Sequence, residues 1–284
     1  MNNSLESNFY IKRKNFFSKI KKKFNHEDLT QLIAVHKIKK NISKKLVNTA
    51  KKFFFASKKY NFKNMTPNGM LLPKKEIEKI YSNFVEAFRD LLLSMNLEKN
   101  IAQCYLPVIR YKEGKESKKN KKRSTRSELP HADCWAGWPS NSILLQIPLY
   151  GDVKNNRVSY YSSPKNLKKK WLRKTDFLSA QKMCSEHKLL NHHYKIGYIY
   201  VSDITVLHAT KRAKNSQGRL SVDIPILIKS RIKSKSKIYK TNEISIDNMK
   251  KINKSFKLYA PLKMGEIDGV PGVKPPSTCI LRKI

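Results

Sequence analysis

Apolar residues recur every three or four positions between Pro73 and Asn96, a spacing that predicts an amphipathic helix. Charged residues such as Glu78 and Asp90 lie off the apolar stripe. Proline is tolerated in the first helical turn, so Pro73 is a suitable start. We expect this helix to pack against a sheet through its stripe, which consists of Ile77, Ile80, Tyr81, Phe84, Phe88, Leu91 and Leu92.

The pattern changes after residue 101 to short apolar runs separated by turns. Many short strands in one block favour a sandwich, barrel or jelly roll over alternating strands and helices. Residues 113–128, EGKESKKNKKRSTRSE, are too charged to pack and predict a mobile surface loop. The predicted strands are Cys104–Tyr111, Ser142–Tyr150, Val158–Ser162, Ile196–Leu207 and Leu220–Ile228.

The chain therefore divides into three predicted regions. Residues 1–100 form a helical N-terminal region packed on the core, residues 101–230 form the core of short strands, and residues 231–284 form a basic C-terminal extension. A chain of 284 residues is long enough to bury such a core. The expected fold class is mainly β with flanking helices.

Basic residues dominate the charge balance, because 60 Lys and Arg against 21 Asp and Glu give a formal net charge of +39. Such an excess is typical of proteins that bind nucleic acid, anionic membranes or acidic polymers. Compositional drift is the alternative, since the basic residues are spread along the whole chain and Gly totals only 9. The sequence leaves this choice open, but it contains no recognisable nucleic-acid-binding motif, so we do not expect a nucleic-acid partner.

The N-terminus, MNNSLESNFYIKRKNFF, lacks the continuous apolar segment of a secretory signal. No apolar run approaches the roughly 18 residues that a membrane span requires. The four cysteines are widely spaced and form no CxxC pair, which favours reduced thiols. We therefore expect a cytoplasmic protein without a membrane span, and the sequence indicates no oligomeric state.

The tripeptide His131-Ala132-Asp133 is the first candidate for chemistry. Residues i and i+2 of a strand point to the same face, so this imidazole and this carboxylate can converge on one point. Together they suit a divalent metal of borderline softness. A third ligand from elsewhere would complete a triad of two histidines and one carboxylate with open coordination positions. Alone, an HxD tripeptide is a weak signal.

Three residues further along the chain strengthen the metal hypothesis. His208 follows the apolar run Ile196–Leu207, where a strand would bring it to the rim of a sheet. Arg219 and Ser221 come one turn later and share a strand face by alternation. A guanidinium beside a hydroxyl suits a carboxylate, which Arg can bind in bidentate fashion. This pair is therefore a candidate site for the distal carboxylate of a dicarboxylic acid.

This order of residues resembles the Fe(II)/2-oxoglutarate-dependent oxygenase superfamily, and within it the phytanoyl-CoA dioxygenase-like branch. The strongest resemblance is to oxygenases of bacterial carbohydrate and aminoglycoside biosynthesis clusters. Cys134 departs from the small hydroxyl residue that is more usual at its position. The resemblance covers roughly 101–228 and is carried by HADCWAG at 131–137, IPLYGDV at 147–153, YYSSP at 160–164 and VSDITVLHATKRAKNSQGRLSVDI at 201–224.

The resemblance implies a double-stranded β-helix, a jelly roll of the cupin type, and a non-haem dioxygenase that uses Fe(II), 2-oxoglutarate and O2. His131, Asp133 and His208 would bind the iron. Arg219 and Ser221 would bind 2-oxoglutarate. An aspartate at the carboxylate position argues against a halogenase, in which a small residue leaves room for halide.

Trp135 and Arg110 fall where such enzymes line the substrate pocket, and for Trp135 a packing role is an equal alternative. The resemblance implies hydroxylation of a small metabolite, such as a sugar or nucleotide-sugar, with release of succinate and CO2. Desaturation and epimerisation use the same chemistry. Two further alternatives stay open: an oxygenase acting on an anionic macromolecule, and a non-catalytic jelly-roll or basic nucleic-acid-binding protein.

Overall fold

A computed structural model describes most of the chain up to residue 229. The predicted extension over 231–284 and the predicted helix start at Pro73 lie outside the described residues. No helix within the described part is long and apolar enough to cross a membrane. The described residues are 6–62, 65, 68–71, 77–104, 107–136, 138, 140–173 and 175–229.

Antiparallel strands make up most of the described core. They are β1 (Glu27–Thr30), β2 (Ile33–Lys37), β3 (Met70–Leu71), β4 (Ile101–Cys104), β5 (Ile109–Lys112), β6 (Ser142–Gly151), β7 (Asn156–Tyr160), β8 (Tyr198–Asp203), β9 (His208–Arg212) and β10 (Arg219–Ile228). Eight of them form a main sheet in the order β1-β2-β8-β6-β10-β5-β3, with β4 also paired to β10. The central strands β6 and β10 are long apolar runs that are buried along almost their whole length, as the sequence predicts.

A second, smaller sheet faces the first and consists of β7 paired with β9. Isolated bridges extend it on both sides, from His131 to His208 and from Tyr161 to Leu189. Along the chain the strands move back and forth between the two sheets: β5, β6, β8 and β10 lie in the main sheet, and the His131 segment, β7, the Leu189 segment and β9 lie in the second. This topology is a double-stranded β-helix, so the expected jelly-roll fold is confirmed.

The part of the chain that the structure describes also contains four α-helices: α1 (Asn8–Lys21), α2 (Lys40–Lys59), α3 (Glu78–Ser94) and α4 (Lys118–Lys121). Helix α2 buries one stripe, including Leu46, Ala50 and Phe53 at three- and four-residue spacing, and packs on β6. The predicted helix is α3, which packs mainly on α2, whereas we expected it to pack against a sheet.

Two expectations about the strands need correction. The N-terminal region predicted to be helical also contributes β1, β2 and β3 to the main sheet, because β2 is a short apolar run that pairs with β8. The predicted strand Ile196–Leu207 is interrupted after Asp203 by a turn. The Asp203 carboxylate accepts hydrogen bonds from the backbone N–H and the hydroxyl of Thr205, and these bonds stabilise the turn.

Candidate metal centre and co-substrate pocket

The structure brings His131, Asp133 and His208 together. One potential ligand atom from each of them lies within 4.8 Å of the other two. The Nε2 atoms of His131 and His208 are 3.9 and 4.0 Å from Oδ1 of Asp133. No other group of three such residues within the described part of the chain has this geometry. The two parts of the metal hypothesis, the His131-Ala132-Asp133 tripeptide and His208, therefore meet at one point in the fold.

Backbone pairing fixes the two histidines relative to each other. The N–H of His131 donates to the carbonyl of His208 at 3.0 Å, and the N–H of His208 donates back at 2.9 Å. Asp133 is placed differently from the prediction, because the chain leaves the sheet after His131 and forms a 3₁₀ turn over Asp133–Ala136. The carboxylate reaches the site from the first residue of that turn rather than by alternation along a strand.

In each histidine, a hydrogen bond at Nδ1 fixes the direction in which Nε2 of the same ring points. Nδ1 of His131 is 2.7 Å from the carbonyl of Leu129, and Nδ1 of His208 is 3.2 Å from the carbonyl of Val206. A carbonyl can only accept, so Nδ1 carries the proton and Nε2 presents its lone pair. This arrangement fixes the tautomer and ring orientation of metal-binding histidines.

The surroundings of His131 favour a neutral imidazole. Phe177 stacks on its ring, with centroids 4.3 Å apart and planes inclined by 16°. Burial, and secondly the nearby His208, hold the pKa of His131 well below its usual value. The neutral ring is the form that binds a metal.

The donor set fits a divalent transition metal. Nε2 of His208 is buried and has no hydrogen-bond partner among the described residues. A buried polar atom normally has a partner, so this lone pair calls for a ligand that these described residues do not supply. Two imidazole nitrogens and one carboxylate oxygen are the donors typical of non-haem iron sites with open coordination positions.

The turn after His131 is held by the segment that leads to His208. The backbone N–H of Cys134 donates to the carbonyl of Ile204 at 3.2 Å. The Trp135 indole donates to the carbonyl of Trp171, and the Trp171 indole donates to the carbonyl of Thr205, both at 2.9 Å. Of the two roles considered for Trp135, its contacts support packing. Its side chain is 0% exposed, packs on Trp171 and has its only donor satisfied.

Arg219 is a deeply buried cation at the start of β10. Its side chain is 2% exposed, and no carboxylate of the described residues forms an ion pair with it. One guanidinium nitrogen, Nη1, donates to the carbonyl of Asn156 at 3.0 Å, while Nε has no partner in the described chain. An uncompensated buried charge is strongly destabilising, so the guanidinium is suited to an anionic ligand.

Ser221 and Arg110 lie on the same face of the main sheet as Arg219. Alternation along β10 gives Arg219 and Ser221 one face, and Arg110 of β5 is the cross-strand partner of Ser221. Ser221 is buried, whereas Arg110 is half-buried and its Nη2 atom is 3.8 Å from Oδ2 of Asp223. The predicted pair is thus side by side, and Arg110 lies one strand away.

No family model and no curated protein matches the chain. Among solved structures, the chain is similar to the non-haem alpha-ketoglutarate-dependent carbocyclase SnoK from nogalamycin biosynthesis, with 11% identity, 80% of this chain and 88% of that chain covered, and a TM-score of 0.47. The epimerase SnoN from the same biosynthesis is 9% identical, with 76% of this chain and 83% of that chain covered and a TM-score of 0.42. EctD from S. alaskensis with bound Fe is 10% identical, with 80% of this chain and 79% of that chain covered and a TM-score of 0.41. These neighbours are non-haem iron and 2-oxoglutarate-dependent enzymes.

The likeness at such low identities concerns the fold alone. The roles of individual side chains therefore depend on this chain's own geometry, which also includes residues that the sequence did not reveal.

Asn156 is one such residue, because it organises the end of β10 that carries Arg219. Its amide Nδ2 donates to the carbonyls of Lys112 at 3.0 Å and of Glu113 and Gln217 at 3.1 Å. Its backbone carbonyl accepts a hydrogen bond from Nη1 of Arg219. No pattern in the sequence distinguishes this asparagine from the many others in the chain, since its partners are backbone carbonyls brought together only by the fold.

The charged segment over 113–128 packs against this end of the core, contrary to the expectation that it would not. Glu128 is 3.5 Å from the Lys112 ammonium and 2.9 Å from the Arg212 guanidinium. Burial alone would raise the pKa of Glu128, but Lys112 and Arg212 lower it to about 2. Burial lowers the pKa of Lys112 to about 7. Thr125 of the same segment is buried as well.

Proposed function

We propose that this protein is a non-haem Fe(II)- and 2-oxoglutarate-dependent dioxygenase. The observation that carries the proposal is the convergence of His131, Asp133 and His208, with both imidazoles oriented so that Nε2 faces the carboxylate. Three ligands on one side of a metal leave positions on the other side for a bidentate co-substrate and O2. Bound iron would supply the activation of O2 that converts 2-oxoglutarate into succinate and CO2 and oxidises a C–H bond.

Arg219 and Ser221 would hold the distal carboxylate of 2-oxoglutarate. A guanidinium fork can donate two parallel hydrogen bonds to a carboxylate, and Ser221 can donate a third from the same strand face. Burial strengthens this pairing because water competes less for the charges. Asn156 fixes the direction of the guanidinium through its backbone carbonyl.

The proposed reaction is hydroxylation of a small organic substrate, for which a sugar or nucleotide-sugar is our working hypothesis. That hypothesis derives from the resemblance in sequence. Arg110 is the residue we assign to the substrate side, since it lies next to Ser221 and its side chain remains 18% exposed. Trp135 is assigned to packing instead.

The test is an anaerobic titration of the full chain with Fe(II) followed by 2-oxoglutarate, in which the ternary complex gives a weak visible charge-transfer band. Admission of O2 should then release succinate. Asp133→Ala and His208→Ala remove single ligands and should lose the band. A wild-type protein that binds neither iron nor 2-oxoglutarate would refute the proposal.

A further inference from the structure

Tyr194 is a buried phenol beside Arg219 that the proposed function leaves without a role. Its side chain is 3% exposed, and its hydroxyl has no hydrogen-bond partner among the described residues. Buried hydroxyls are nearly always satisfied, because an unmade hydrogen bond leaves the cost of desolvation uncompensated. The hydroxyl therefore calls for a ligand atom that the described part of the chain does not supply.

The position of this phenol is fixed by Tyr200 of β8. The Tyr200 hydroxyl accepts from the backbone N–H of Lys195 at 3.0 Å and donates to the carbonyl of His193 at 2.5 Å, so it holds both neighbours of Tyr194. The two tyrosine rings also pack together, with centroids 4.8 Å apart. A ring held in this way is organised before any ligand binds.

Arg219, the neighbour of this ring, also has an unsatisfied donor. The Arg219 guanidinium carbon is 5.6 Å from the centre of the Tyr194 ring, and Nε of Arg219 is also buried without a partner in the described chain. Burial raises the pKa of Tyr194 well above its usual value, so the phenol keeps its proton and remains a donor. A ligand that satisfies a cation and a neighbouring O–H together is an anion with more than one acceptor oxygen.

We propose that the Tyr194 hydroxyl donates a hydrogen bond to the distal carboxylate of the dicarboxylic co-substrate, beside the Arg219 guanidinium. This inference rests on the proposed function and adds a residue from the loop before β8 to the pair on β10. The expected consequence is selectivity for dicarboxylic over monocarboxylic 2-oxo acids, because a 2-oxo acid without a second carboxylate cannot accept this hydrogen bond.

Tyr194→Phe tests the proposal, since it removes the hydroxyl and keeps the ring that packs on Tyr200. Binding is measured by anaerobic calorimetry on the full-length, Fe(II)-loaded protein, with 2-oxoglutarate and with 2-oxovalerate, which has the same chain length without the distal carboxylate. The dissociation constant for 2-oxoglutarate should rise roughly ten- to hundredfold, as for the loss of one hydrogen bond to a charged group. Affinity for 2-oxovalerate and iron should stay unchanged.

Tyr150→Phe is the matched control, because Tyr150 is exposed and its ring contacts the Lys51 ammonium outside the site. It should leave both affinities unchanged. Equal 2-oxoglutarate binding by Tyr194→Phe and wild type would overturn this inference and leave the proposed function intact. Equal weakening for both oxo acids would overturn it too, since the hydroxyl would then act through the fold. Absence of 2-oxoglutarate binding to wild type would remove the proposed function, and the inference with it.

Discussion

Replacement of Arg219 by methionine separates what this side chain contributes to ligand binding from what it contributes to the fold. Methionine keeps much of the aliphatic volume and removes the charge. The guanidinium makes one protein hydrogen bond, to Asn156, and has no acidic partner among the described residues. Because a buried charge without a partner is costly, the ligand-free Arg219→Met protein should be at least as stable as wild type.

Binding of 2-oxoglutarate should be lost in the same variant. A bidentate contact comprises two hydrogen bonds to a charged group, each contributing about 1.5–3 kcal/mol, so the loss is about 3–6 kcal/mol. Each 1.4 kcal/mol is about tenfold in Kd, which predicts a weakening of roughly two to four orders of magnitude. Arg219→Lys should recover only a small part, because an ammonium is a point charge without a planar fork.

The assay combines thermal unfolding of the ligand-free protein with anaerobic 2-oxoglutarate titration and with iron titration. Arg173→Met, which makes the same chemical change at an exposed position, is the control and should alter none of them. Iron affinity should be close to wild type in Arg219→Met, since the metal ligands are on other segments. Undiminished 2-oxoglutarate binding by Arg219→Met would remove Arg219 from the co-substrate site.

Three further predictions concern the ligands and the buried charges. His208→Ala should lose iron binding, measured by competition with a chelator, because it removes the Nε2 atom that has no protein partner in the described chain. Lys112 and Arg212 lower the pKa of Glu128 from 4.5 to about 2, so Glu128 contributes about 3 kcal/mol of stability above pH 4.5 that is lost as the pH falls towards 2. In Glu128→Gln, the free energy of unfolding measured in urea should therefore depend less on pH between 4.5 and 2. The same pH dependence in the variant and the wild type would contradict this. In the wild type, the Arg13 guanidinium lies 2.5 Å from the buried Asp203 carboxylate. Arg13→Met leaves that carboxylate without its cation and should lower the free energy of unfolding by about 3–5 kcal/mol. A loss below about 1 kcal/mol would contradict this prediction.

The sequence predicted the fold where a single element carried its own signal. The long apolar runs of β6 and β10 were predicted almost to their ends, because strands buried on both faces are apolar at nearly every position. The short strands β2 and β3 were missed for the opposite reason. Their pairing with β8 and β5 depends on distant partners, and two to five residues contain too little pattern to be recognised.

In the candidate site, too, residues with a local sequence signal were predicted and residues placed only by distant contacts were missed. His131, Asp133 and His208 were predicted from residue type and order, but the geometry assumed for Asp133 was wrong, because a 3₁₀ turn held by the backbone of Ile204 replaces the strand. Tyr194 and Asn156 had no signal at all. Each acquires its place from hydrogen bonds to backbone groups that only the folded chain brings together.

The buried and half-buried cations help to decide whether the positive net charge of the chain has a function. Four cations, Arg110, Lys112, Arg212 and Arg219, lie near one end of β5 and β10, and the carboxylates paired with them are Glu128 and Asp223. Because burial lowers the pKa of Lys112 to about 7, the three arginines are the permanent positive charges. Against the two carboxylates they leave an excess of one, which the distal carboxylate of 2-oxoglutarate would neutralise. These residues are buried or half-buried, so their charges are screened by salt far less than those of exposed lysines. Drift in composition adds lysines where water solvates them at little cost, whereas a buried cation persists only where a partner or ligand compensates it. The interior cations are therefore the part of the positive charge that the proposed co-substrate accounts for.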